Sequence, residues 1–403
     1  MKKRLSLLML FLVLLTGCWN SRESDKIDYV FAVGIDLSEA DEIILTIQTP
    51  VLEALKPNAP GGEKKYKTIS VKGKTTFEGI RNYIDVTGQK LFWGHTQTYV
   101  IGEEAARKGV GRFLDFFSAD PELRGTSYVA VCKGKAKDLL EANPQFTPIP
   151  ATYMNNLVKN AVLNGKSPTV MFADFNRMLA EPTGSQPYLP LMELMTREEY
   201  DKKHASILGK YMDYSKQTPV YYTVGTAVFH GTKLVGYLNE KETRGLNWTK
   251  NTLKSALVTV DCGEYGIASL ELIGGVKERQ KVKVEGDKAM VEVKVKANLN
   301  IADRSGFLDV SEEAVIRKLE KGFADVVTAE IEAAFNKAIR KYHSDIMAFG
   351  NTVSDANPKL WEQIKSRWEN EILPRAELSI TVEGRIRRTS RTLYSPWVKS
   401  PSD

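Results

Sequence analysis

Cysteine and histidine are scarce in this chain of 403 residues, with three of the first and four of the second. That scarcity excludes most metal chemistry: His95, His204, His230 and His343 are scattered, and none stands at helical spacing from another ligand. A Gly-x-Ser-x-Gly elbow is missing. So is a phosphate-cradling loop, since Gly109-Val110-Gly111 has neither a third glycine nor a strand before it. No cofactor is expected. Beyond the first 17 residues no apolar run reaches the ~20 residues that a membrane-spanning helix requires. A strong excess of one charge is lacking too. Setting aside Lys2, Lys3 and Arg4 lowers the formal +6 to about +3, too little on a mixed surface to indicate nucleic acid. It modestly favours approach to anionic lipid or cell-wall polymer.

What is present begins at the amino end. Lys2, Lys3 and Arg4 precede an apolar run over 5–15, broken only by Ser6, which at roughly a dozen residues is a signal-peptide core rather than a span. The run ends in Leu15-Thr16-Gly17-Cys18, which resembles the lipobox of bacterial lipoproteins. Small residues suit the peptidase subsite, and the cysteine offers a thiol for diacylglycerol transfer. Residues 1–17 are thus expected to be a lipoprotein signal peptide, cut before Cys18. Two or three acyl chains at ~0.8 kcal/mol per buried CH2 then make a firm anchor. The remaining 386 residues suffice for two or three domains. Cys132 and Cys262 each close an apolar run; they are either buried thiols or, in an oxidising compartment, a bridged pair.

Residues 18–27 are polar and form a tether. An N-terminal α+β unit is expected over 28–145, with strands at 29–37, 43–48, 66–71, 98–101 and 128–132. Helices fall at 77–86, 103–117 and 136–142, the first capped by Thr76. Strands interspersed with helices indicate a sheet covered by helices. Pro144, Pro148 and Pro150 mark a boundary. A middle unit follows over 146–254, with helices at 152–163 and 170–179 and a hairpin of 220–229 and 234–238. Between them, 182–190 is rich in proline and glycine, and 196–216 is polar without a readable pattern.

The C-terminal unit, 255–395, is the clearest. Ala289, Val291, Val293, Val295, Ala297, Leu299 and Ile301 alternate with polar neighbours, so one face meets a core and the other meets water. Gly286-Asp287 turns the chain into this strand from Val282 and Val284. Ser311, with Glu312 and Glu313, caps a long helix striped by Leu319, Phe323, Val326, Ile331 and Ala334. Asn357-Pro358 opens a second helix with Trp361 and Trp368 on its buried face, Pro374 ends it, and Leu378, Ile380, Val382 and Ile386 make a last strand. The fold class read from these patterns is α+β: three domains, each a mainly antiparallel sheet packed with helices.

A search for catalytic parts finds little. Glu240 and Glu242 could serve as the paired carboxylates of a glycoside hydrolase, but Lys241 and Arg244 sit among them and a charged turn or helix start explains the run. His95 could be a general base, or a histidine held at a strand entry. Arg385, Arg387, Arg388 and Arg391 form a basic cluster whose alternation puts part of it on the exposed face of the last strand, where charge discourages edge pairing. It could otherwise contact a membrane or a partner.

Several stretches together resemble the Ger(x)C family, the lipoprotein C subunits of spore germinant receptors in Firmicutes. They are Gly17-Cys18-Trp19 with Gly34-Ile35-Asp36, then Phe92-Trp93-Gly94-His95-Thr96-Gln97, Ile101-Gly102-Glu103-Glu104 and Asp120-Pro121-Glu122. Next come Thr226-Ala227-Val228-Phe229, Lys233-Leu234-Val235-Gly236-Tyr237-Leu238-Asn239 and Glu242-Thr243-Arg244-Gly245-Leu246, then Ser344-Asp345-Ile346-Met347-Ala348-Phe349-Gly350 with 361–368. The resemblance implies a three-domain, non-catalytic lipoprotein on the outer face of the spore inner membrane. It also implies assembly with integral membrane A and B subunits into a complex that answers nutrients. Only Cys18, the lipidation site, transfers as a defined functional residue. Two rivals remain: a binding lipoprotein that itself holds the soluble nutrient, and a wall hydrolase using Glu240 or Glu242.

Overall fold

Val129-Ala130-Val131-Cys132 are all buried, so this strand must be covered on both faces. The computed structural model describes residues 27–58, 64–143, 147–180, 184–204, 219–263, 266–306 and 308–388. The expected signal peptide, Cys18, most of the expected tether and Arg391 lie outside these.

In chain order the first part carries β1 (Ile27–Tyr29), β2 (Ala32–Leu37), β3 (Ile43–Pro50), β4 (Tyr66–Gly73), α1 (Thr76–Thr87), β5 (Lys90–Phe92) and β6 (Thr98–Gly102). Next are α2 (Glu103–Lys108), α3 (Gly111–Ala119), β7 (Tyr128–Cys132), α4 (Ala136–Glu141), α5 (Pro150–Asn160) and α6 (Phe172–Ala180). Then follow β8 (Tyr188–Thr196), α7 (Arg197–His204), β9 (Pro219–His230), β10 (Lys233–Leu238) and α8 (Glu240–Trp248). The remainder is β11 (Leu257–Asp261), β12 (Ile267–Glu285), β13 (Lys288–Ser305), α9 (Glu313–Phe335), α10 (Phe349–Ala356), α11 (Pro358–Arg367) and β14 (Glu377–Arg388).

Eight strands form the first sheet, in the order β10-β9-β8-β7-β6-β2-β3-β4. Its centre, β2, β6, β7 and β8, is parallel, and antiparallel pairs flank it on both sides. The sequence led us to expect mainly antiparallel pairing. The parallel centre arises because β6, β7 and β8 are joined through helices, and only such crossovers bring neighbours back in the same direction. Val33, Ile35, Tyr99 and Ile101 face one core with α1, α2, α3 and α6. Ala32, Val100, Ala130 and Cys132 face the other with α4 and α5. The middle stretch, 146–254, adds β8, β9 and β10 to this sheet instead of building a sheet of its own. β8 was not legible, because Pro190 interrupts it and its run Leu189 to Met192 is buried without alternation.

The second sheet has the order β11-β12-β13-β14, antiparallel except for the parallel pair β13–β14. The expected alternation holds through β13: Ala289, Val291, Val293 and Val295 pack on α9, with Leu319, Phe323, Val327 and Ile331 opposite. No described element covers the other face. Trp361 and Trp368 meet edge to face at 5.8 Å inside this core. Cys132 and Cys262 are buried, unpaired thiols in different cores.

Three local readings are corrected. Thr75, not Thr76, caps α1 by accepting from the Glu78 amide at 3.1 Å. The single helix expected over 103–117 is two, because Gly109 takes φ +120° and the Val110 amide turns to the Thr232 carbonyl at 2.9 Å. Ser311 does not cap α9; its hydroxyl donates to Asp309 at 2.6 Å, and Glu312 stands at the cap without a side-chain bond. Asn357 does cap α11, accepting from the Leu360 amide, with Pro358 at the first helical position.

Asp36 ties the first sheet to its helical cover. Buried on β2, it accepts from the Ala136 and Lys137 amides at 2.8 and 2.9 Å and so caps α4 from a distant strand. Burial holds its carboxyl above the usual range, against the pull of those two amides. Gly34, two residues earlier, leaves room for the close approach of Ala136. Asp36→Ala would strand two buried donors and is expected to cost about 2–4 kcal/mol in urea unfolding. Asp36→Asn, which keeps one acceptor, should recover part of that loss.

Candidate functional site

Helix α8, which follows the edge hairpin β9–β10 of the first sheet, packs between that hairpin and α9 of the second part, and the stretch from Thr226 to Leu246 lies there. Asn239 opens α8 with a capping box: its side chain accepts from the Glu242 amide, and the Glu242 carboxylate accepts from the Asn239 amide at 2.8 Å. One turn on, Arg244 donates to Glu330 of α9 at 2.7 Å, both side chains being 9% exposed. Trp248 donates its indole N–H to the second oxygen of Glu330 at 2.6 Å and packs edge to face on Phe323 at 5.7 Å. Between them Gly245 lies so close to α9 that a Cβ would sit 1.9 Å from the Glu330 carbonyl oxygen. That contact is with backbone, so no side chain can relieve it. On its other side α8 meets the first sheet, with Thr243 and Thr226 hydroxyls 2.9 Å apart.

A second polar node lies in the loop between α9 and α10. Buried Asp345 accepts from the Phe349 and Gly350 amides at 3.1 and 2.7 Å and from the Trp368 indole at 3.0 Å. Burial raises its carboxyl above the usual range in spite of these donors. The loop it pins bends sharply: His343 and Ala348 flank it at φ 51° and 65°, a region costly for residues with a Cβ. Ser344 donates to the Phe229 carbonyl at 2.6 Å, stitching the loop to β9. Glu369 accepts from Gln186 at 2.8 Å and from the Asp345 amide at 3.1 Å, with His230 Nδ1 at 3.6 Å. Its carboxyl too is held up by burial, which outweighs the Asp345 amide and His230. Nearby Lys250 stands over the Tyr188 ring, its ammonium pushed down to about 8 by loss of water.

Each buried carboxylate named at these two nodes has a hydrogen-bond donor inside the protein. Glu240 pairs with Lys166 at 2.8 Å, and Glu242 is spent on the cap. Neither carboxylate stands poised for acid/base work. Glu240, but not Glu242, lines a cleft of about 730 Å³ with Arg244, Leu163, Leu257 and Val326, where Glu240 is paired with Lys166 and Arg244 with Glu330. His95 is exposed in a short turn, beside Tyr29 and Phe92 at 5.5 and 5.7 Å. Arg385 and Arg387 lie exposed on the edge strand β14, as their alternation implied. Among the described residues no group of three His, Cys, Asp or Glu is placed to hold a metal, and no helix is long and apolar enough to cross a membrane.

Glu330 and Glu369 were not singled out from sequence. A signal for Glu330 existed: it falls seven residues after Phe323 and three after Val327, on the apolar stripe, where a carboxylate must have a buried partner. Glu369, reached from Gln186 of a far-off segment, had none.

The family described as "Spore germination protein N-terminal domain" matches residues 20–194, and "Spore germination B3/ GerAC like, C-terminal" matches 224–390. Spore germination protein KC of Bacillus subtilis (strain 168) is 25% identical over 392 residues, covering 95% of this chain and 94% of that protein. Spore germination protein B3 of the same organism is 22% identical, covering 91% and 92%. Spore germination protein GerQC of Bacillus cereus is 23% identical, covering 84% and 86%. The crystal structure of the GerBC protein superposes with a TM-score of 0.52 over 88% of this chain and 96% of that one, at 18% identity, a likeness of fold.

Arg244→Leu alone leaves Glu330 short of its counter-charge and is expected to cost about 3–5 kcal/mol. Adding Glu330→Gln, which still accepts from Trp248, should restore much of the loss. A double-mutant cycle in urea reads the coupling, and strict additivity would refute the pairing. Gly245→Ala is expected to lower stability by about 1–3 kcal/mol or more, since the backbone of α9 must move.

Proposed function

The chain belongs to the spore germination family whose N-terminal and GerAC-like C-terminal regions it matches, and from that membership we propose that it is a lipid-anchored, non-catalytic subunit of a nutrient germinant receptor. In this reading it acts with integral membrane A and B subunits on the outer face of the spore inner membrane. The observation that carries it is that the family matches run along nearly the whole chain directly after a lipobox ending in Cys18. The relatives named above are spore germination proteins, which supports a role in germination.

The geometry supports a scaffold more than a catalyst. Residues such as Asp36, Arg244 and Asp345 bond inward: Asp36 fixes α4 on the first sheet, Arg244 fixes α8 against α9, and Asp345 pins the loop before α10. A subunit that relays a signal between partners needs such a fixed joint; an enzyme would need reactive groups left free in a cleft. The lipid keeps this body beside membrane-embedded partners, so the local concentration of each for the other is high without a large interface.

Cys18→Ala is expected to leave the chain unacylated, released from the membrane fraction, and unable to support nutrient-triggered germination at the wild-type rate. Membrane fractionation with germination assays checks this; wild-type retention in that mutant would sink the anchor.

A further inference from the structure

The outer face of the second sheet breaks a rule that sheets normally keep. Like charges directly opposite on paired strands repel, and their usual place is beside an opposite charge. Here Lys277 of β12 is in register with Lys296 of β13, and Arg279 is in register with Lys294. Arg385 and Arg387 of β14 extend the cluster past Asn298. All six cations are exposed. Two carboxylates meet them, Glu383 on Lys296 and Glu292 on Lys294, each at 2.9 Å. Lys277 and Arg385 have no ion-pair partner among the described residues. The local excess of about four positive charges exceeds the +3 of the mature chain, so the rest of the molecule is slightly acidic. The charge is segregated on one face.

The shape of that face narrows what it can meet. Two extra residues in β12, Gly274 and Gly275, both at positive φ (74° and 78°), bulge out of register opposite Asn298 and Ala297. The bulge opens a hollow of about 260 Å³ lined by Lys277, Lys296, Arg385 and Arg387 with one carboxylate, Glu383, which Lys296 already neutralises. Around the hollow the cations are spread over three adjacent strands of an uncovered sheet, as a planar anionic surface requires and a single small anion does not.

We propose that this face docks on anionic phospholipid headgroups, with the hollow receiving a lipid phosphate. The membrane as occupant rests on the lipid-anchor reading: a tether over 18–27 reaches at most about 35 Å, which keeps the folded part near the bilayer. Each cation near an anionic bilayer contributes about fivefold to binding, and salt screens it. The sheet then lies on the membrane, and this contact orients the folded part that the lipid proposed at Cys18 holds there.

The test uses the full mature chain carrying Cys18→Ala, so that no acyl chain contributes and failure of the anchor cannot mask the result. Co-sedimentation is measured with phosphatidylcholine vesicles, with and without phosphatidylglycerol. Binding is expected only where phosphatidylglycerol is present, and should vanish when salt shortens the Debye length to a few ångströms. Lys277→Gln, Arg279→Gln and Arg385→Gln are each expected to weaken it about fivefold, and the triple variant about a hundredfold. The triple variant should melt no lower than the parent, since like-charge repulsion is relieved, which separates lost charge from lost fold. Equal binding to neutral vesicles, no binding to anionic ones, or unchanged binding by a folded triple variant each overturns the proposal. So does competition by millimolar inorganic phosphate in full, which would make the site one for a soluble anion.

Discussion

A guanidinium and a carboxylate withdrawn from water must satisfy each other and leave no donor or acceptor idle, and the joint between the two sheets depends on this being met by Arg244 and Glu330. Their desolvation is costly, and their attraction offsets it only if geometry is tight. Trp248 supplies what the pair lacks, a donor for the second carboxylate oxygen. Gly245 then permits the two helices to approach until that geometry is reached. Remove the close approach and the pair opens; remove the pair and the approach has no specific register. The same logic recurs at Asp345, where three donors hold one buried carboxylate and thereby fix a loop whose backbone would otherwise relax.

Apolar positions in either core tolerate exchange, provided volume and pattern are kept. The polar positions at the joint do not, because each has a partner in a different element. Thus Gly34 with Asp36, Gly245 with Arg244, and Asp345 with Gly350 are pairs of a small residue and a charge, and each pair marks where two elements touch.

Legibility from sequence followed the range of the forces involved. The second sheet was readable because β13 alternates strictly, and α11 because Asn357-Pro358 is a local start signal. Most strands of the first sheet were readable but not their order, since parallel pairing of β7 with β8 depends on contacts across helices. β8 itself hid behind Pro190 and the absence of alternation. At the joint, Asn239 and Glu242 could be seen as a charged helix start, but their neighbour Arg244 only gains meaning from Glu330, eighty-six residues away along the chain. Local codes declare elements. Distant partners declare how elements meet.

The last strand carries one more consequence. β14 pairs with β13 in parallel, Met290 beside Glu377 and Leu299 beside Ile386, so the whole run of α9, α10 and α11 must be in place before the sheet can close. A chain threaded across a membrane emerges amino end first, and its early units can fold while later ones are still in transit. The eight-stranded sheet needs nothing beyond β10 to complete its hydrogen bonding. The other sheet, and with it the cationic face, exists only after the carboxyl end has arrived. Under the export proposed above, vectorial delivery makes the basic surface the final feature to be assembled.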